Sequence, residues 1–159
     1  MTTLRGIAQP SDCFLTHMLL AYWRKLLVFM GLLAGVTSVV HFCVLTLSRQ
    51  PEFVGRPWES LVFPFEWPSV VYAVDILAWD VFFPFSVLFA APVFRGSRLA
   101  AWIRVLMIAS GVLSLAGLSG VVAGDMQLRN IGIVGYVGVF LVVAALLAIL
   151  FYRATPQGA

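Results

Sequence analysis

Charge is scarce in this sequence. Of its 159 residues only 11 % are Asp, Glu, Lys or Arg, while 62 % are hydrophobic. Soluble domains carry about a quarter charged residues, so this balance excludes a water-facing globule. With a mean hydropathy of +1.01, it reads as an integral membrane protein with small loops and no room for a second, soluble domain. Cysteine is nearly absent too. Cys13 and Cys43 are the only two and form no CxxC, so thiol oxidoreductase chemistry has no support. The topology argued below puts them on opposite sides of the membrane, beyond disulfide reach, and both read as packing residues.

Histidine occurs twice. His17 and His41 stand about 36 Å apart on a continuous helix at ~1.5 Å per residue, too far to share a metal or a haem. GxSxG, HExxH, P-loop and Rossmann glycine patterns do not occur, and neither a cofactor nor a metal is expected. The net charge of +3 does not point to nucleic acid, because the basic residues gather at helix ends, where they set topology.

What is present is a series of long apolar runs. Four spans follow, at 26–47, 69–94, 102–123 and 131–152, each long enough to cross a bilayer. Ahead of them, Ser11 is placed to cap a helix over 12–25, whose residues Phe14, Leu15, Met18, Leu19, Tyr22 and Trp23 make an apolar stripe. This stretch is expected to lie on the membrane surface as a short interfacial helix, the alternative being an extension of the first span. Twenty-two residues are too many for a signal-peptide core, so the first span reads as a retained anchor. The fold class expected is therefore all-α integral membrane with four transmembrane helices.

Ser48 to Pro68 is the one sizeable loop. Four prolines cut it, and Phe53, Trp58, Phe63, Phe65 and Trp67 suit a cap at headgroup level. With the N-terminus inside, Arg5, Arg24, Lys25, Arg95, Arg98, Arg104 and Arg153 are cytoplasmic and Arg49, Arg56 and Arg129 outside. The positive-inside bias then places both termini in the cytoplasm and makes the aromatic loop extracytoplasmic. The membrane expected is a bacterial cytoplasmic membrane.

The second span holds the anomaly around which the rest is read. SVVYAVDILAWDVFFPFSVLFAAPVF carries Asp75 and Asp80, with Pro84 one turn beyond. Two intramembrane Asp cost about 5 to 7 kcal/mol, against about 4 to 8 returned by the fourteen Val, Ile, Leu and Phe of the span. Such a helix must turn its carboxyl groups toward other helices. Pro84 has no N–H to donate to the Asp80 carbonyl four residues earlier, which predicts a kink and a polar spot. On an α-helix Asp75 and Asp80 stand about 140° apart, so they should not act as a side-by-side carboxylate pair. His41 in the first span lies at a depth that the two acids bracket, which makes all three candidates for a ligand or proton site.

Small residues offer packing surfaces. Gly31 and Gly35 form a GxxxG in the first span. Ser110 and Ser114, then Ala116, Gly120 and Gly124, give small residues at four-residue spacing along the third, which marks the face on which another helix should pack. Asp125 and Arg129, in i, i+4 order, read as a local ion pair in the turn before the fourth span. That last span then has no ionisable side chain within 131–152.

Three functions are compatible with this inventory. The first is a non-enzymatic accessory or scaffold subunit, docking on a membrane protein partner or a second copy through the third and fourth spans. The second is a binder or transporter of a small or lipid-like molecule, held near Asp75, Asp80 and His41 under the aromatic loop. The third is a membrane enzyme acting on a lipid or quinone, with Asp80 or His41 carrying a proton.

Overall fold

The computed structural model describes residues 10–154, with side chains from 17 to 153. The side chains of Ser11 and Cys13, and Arg5 with its neighbours, lie outside the described residues. Among the described residues every element is helical. Four helices are long and apolar enough to cross a membrane, at His17–Arg49, Val70–Val93, Arg98–Ala123 and Met126–Arg153.

The first span belongs to one unbroken helix, Pro10–Leu45. The stretch expected to form a separate interfacial helix is thus its N-terminal part. Past Pro10 no proline or glycine interrupts the chain before Gly31, so nothing local breaks the rod at the join.

The later spans start on side-chain caps. Ser69 accepts from the Tyr72 N–H at 3.1 Å, Ser97 from Ala100 N–H at 3.1 Å, and Asp125 from Gln127 N–H at 2.9 Å, each satisfying a donor the helix start leaves over. The third span ends at Gly124, whose φ of +70° suits glycine. The Asp125 N–H then reaches back to the Gly120 carbonyl at 3.0 Å. Gly124 and Asp125 make the whole connection, so the fourth span folds back directly along the third.

Two spans are not plain α-helices. The second contains a π-helical turn, Leu77–Phe82, closed by the Phe83 N–H on the Ala78 carbonyl five residues back. The fourth has another, Val134–Val139, closed by Phe140 on Gly135. The anticipated effect of Pro84 appears as this wider turn just ahead of it. A chain missing one N–H can absorb the gap by shifting its hydrogen-bond register by one residue.

The second, third and fourth spans form the core, in which Phe83, Val87, Ile103, Met107 and Val143 are buried together. Trp79 stacks on Tyr136 with ring centroids 5.5 Å apart, and Phe83 meets Phe140 edge-on at 4.9 Å, tying the two π turns to each other's neighbourhood. The first span packs chiefly on the second, through Phe29 against Phe82, Phe85 and Phe89. The connecting loop folds over the shared end of these two spans. There Phe63 is buried with Val40 and Val71, and Phe53 and Trp58 pack against Phe63.

Candidate functional site

The small-residue face of the third span is filled by the chain's own fourth span. An added Cβ at Gly117 would come 2.8 Å from the Gly132 Cα, and one at Gly120 would come 2.5 Å from the Arg129 backbone nitrogen. Ser110 and Ser114, both fully buried, lie on the same face. Ser110 donates to the Gly135 carbonyl in the fourth-span π turn at 2.9 Å, and Ser114 donates to the Ser110 carbonyl at 2.8 Å. Gly124 contributes the turn and has open space around it. Gly31 and Gly35 also face open space. They line an outward notch on the first span together with Val74 and Leu77 of the second.

This close approach carries Arg129 into the bundle. Asp125 spends its carboxylate on capping the helix, so the local Asp125–Arg129 pair read from the sequence does not form. Arg129 belongs to the first turn of the fourth span, which starts at Met126, and its side chain is only 5 % exposed. Its Nε donates to Asp80 Oδ2 at 3.1 Å, and its Nη2 lies 3.1 Å from the same oxygen. Nη2 also reaches Asp75 Oδ2 at 3.4 Å, and Nη1 donates to the Tyr72 hydroxyl at 2.8 Å. One guanidinium thus gathers three side chains of the second span, the use for which its rigid fork of donors is suited.

The two acids share that cation because of the π turn. It spends one residue more per hydrogen-bonded ring than an α turn, so residues five apart come round toward the same face. The 140° separation expected for an α-helix is corrected accordingly. The carboxylates converge on Arg129, though on unequal terms. Asp80, fully buried, takes the two shorter contacts. Asp75 takes one longer contact and keeps 14 % of its side chain exposed. The second oxygen of Asp80 has no hydrogen-bond partner. It sits between the glycines of the neighbouring helices, 2.5 Å and 3.1 Å from where a Cβ on Gly132 or Gly117 would be.

Asp75 and His41 meet at a second feature. A cleft of about 410 Å³ lies between the first two spans, walled by Val40, Val44, Leu45, Phe65 and Trp79, with His41 and Asp75 as its polar groups. Asp80 is not part of it. His41 Nδ1 is 2.8 Å from the Thr37 carbonyl, and among the described residues no hydrogen bond or ion pair joins His41 to either acid. Leu45 and His41 are exposed, so the cleft opens at the side of the bundle. Among the described residues no group of three or more His, Cys, Asp or Glu is placed to hold a metal.

Arg129 is the residue that sequence reasoning misassigned. Its position four after Asp125 invited a local pairing, but two acids in one span call for a cation from another. Arg129 is the basic residue at the start of a span whose first turns reach the same end of the bundle.

These features make a bundle with four helices long and apolar enough to cross a membrane, compatible with a multi-pass membrane protein, that holds a buried Arg–Asp–Asp cluster. No protein-family model, curated protein or solved structure matches the chain.

Proposed function

We propose that this chain binds a lipid-soluble molecule in the cleft between its first and second spans. The observation that carries this reading is the convergence of five apolar walls on two polar groups, His41 and Asp75, in a space of about 410 Å³. Small-molecule sites have this composition, with mostly apolar linings and a few polar groups that fix orientation. The opening at the side of the bundle suits entry from the bilayer. Asp80 and Arg129 support the site from behind by holding Asp75 in place; they are buried with each other and do not line the cleft.

Extraction in mild detergent followed by native mass spectrometry tests the proposal. The expected result is a bound small molecule at stoichiometric level on the wild type. Val44→Trp, which puts an indole into the cleft, should remove it. A ligand retained in full by Val44→Trp sinks the cleft as its site.

The accessory-subunit reading keeps one specific observation in its favour, the outward notch at Gly31 and Gly35. Small residues with open space above them let another helix approach closely. A protein partner at fixed stoichiometry that is lost on Gly35→Leu supports that role instead.

For the orientation we propose cytoplasmic termini in a bacterial cytoplasmic membrane, with the aromatic loop outside. Because Arg129 is buried and paired with the acids of the second span, it leaves the count of loop charges, and seven basic residues on one side then stand against Arg49 and Arg56 on the other. The bias is stronger without it.

A further inference from the structure

The cleft has an electrostatic character that narrows its ligand, and the argument rests on the binding role proposed above. The buried cluster contains two carboxylates and one guanidinium, a formal surplus of one negative charge. That surplus is not shared evenly. Arg129 gives Asp80 two contacts at 3.1 Å and Asp75 a single contact at 3.4 Å. Asp75 thus holds the smaller share of the Arg129 fork, and Asp75 is the carboxylate that lines the cleft. In a low-dielectric surrounding an incompletely paired charge is costly, and a cation beside it relieves that cost.

His41 adds a second constraint. A carbonyl only accepts hydrogen bonds, so the 2.8 Å contact with Thr37 O puts the ring proton on Nδ1 and leaves Nε2, in the neutral ring, as an acceptor. Asp75 and His41 thus both offer acceptors. A ligand ending in a carboxylate, a phosphate or a carbonyl has nothing to give either of them.

The apolar half of the ligand also has a place. A second groove of about 420 Å³ adjoins the cleft along the first span and shares His41 and Trp79 with it. Its other walls include Met30, Leu33 and Ala34, which continue along the helix away from Asp75 and provide a track for a chain or ring system.

We infer that the ligand is a lipophilic amine: an apolar body along the first span, with a cationic ammonium end that donates hydrogen bonds to Asp75 and His41. The ammonium brings the charge of the cluster to zero, and its N–H groups match the two acceptors.

The test uses the full-length protein in nanodiscs of zwitterionic lipid. Tritiated dodecylamine is the probe, read by scintillation proximity against empty nanodiscs, with dodecanol and dodecanoate as chain-matched controls. Saturable dodecylamine binding is expected, with dodecanol weaker and dodecanoate undetectable. Asp75→Asn should weaken amine binding by about ten- to a hundredfold, the worth of a hydrogen bond to a charged group, and Val44→Trp should abolish it. Competition of bound dodecylamine by decylamine and by decanol on the wild type gives the same discrimination if Asp75→Asn does not survive purification. Equal binding of amine and alcohol overturns the ammonium assignment and leaves the cleft standing. No saturable binding of any of the three probes, or binding indifferent to Val44→Trp, overturns the cleft as well.

Discussion

Arg129 and Asp80 come from different spans, 49 positions apart in the chain, and meet at 3.1 Å with both side chains closed off from their surroundings. Each is costly inside a membrane without the other. Removing one partner of a buried pair strands the remaining charge, at about 3–5 kcal/mol. Arg129→Met and Asp80→Asn are each expected to lower stability by that order, measured by reversible unfolding in detergent or bicelles. The double variant should be less destabilised than the two single losses added together, because no charge is left stranded at Asp80. Additive losses would mean that the two residues act separately.

The π turn is expected to act as a one-residue insertion that keeps Asp75 and Asp80 on one face. Deleting Leu77, which is 40 % exposed, removes the extra residue with little loss of packing. It leaves Asp75 and Asp80 four residues apart on a plain α-helix, about 40° from each other, so both still face Arg129. The expected outcome is a stability much closer to that of the wild type than to that of Asp80→Asn, with Asp80→Asn costing its full amount when added to the deletion. A deletion variant as unstable as Asp80→Asn would show that the pairing needs the π turn itself and not only the shared face.

Glycines on facing spans should divide into two groups. A Cβ on Gly132 would press on Asp80 Oδ1 at 2.5 Å, and one on Gly120 on the Arg129 backbone nitrogen at 2.5 Å. Overpacking of this kind costs about 1–3 kcal/mol, so Gly132→Ala and Gly120→Ala should both melt earlier. Gly31 and Gly35 have open space above them, and alanine there should leave the melting temperature of the monomer unchanged. A monomer that melts earlier on Gly31→Ala would place that face inside the fold.

Orientation is checked by labelling. In a background with Cys13 and Cys43 replaced by serine, Gln50→Cys should react with a membrane-impermeant maleimide in intact cells. Ser97→Cys should react only after lysis. The opposite pattern would invert the topology.

Much of the architecture was legible in the residues themselves. Apolar run length identifies four candidate crossings because a bilayer core of fixed thickness demands a helix of fixed length, and among the described residues the structure has four such helices, the last three starting within five residues of the expected positions. Asp75 and Asp80 stood out for the same reason, since a carboxylate in an apolar run needs an explanation wherever it is found. Arg129 did not stand out. It sits at the edge of an apolar run, where basic residues are common, and a partner was at hand four residues away.

Composition and run length by themselves determined that the chain has four runs long and apolar enough to cross a membrane as helices and must hide two acids, because transfer costs depend only on which residues lie in each run. Tertiary structure decided what those acids meet. Two glycine-lined helices approach closely enough to bring Arg129 to the second span, and a π turn rotates Asp80 into line with Asp75. Contacts across 49 positions and a one-residue change of helical register are set by packing among all the spans, which no single stretch of sequence contains.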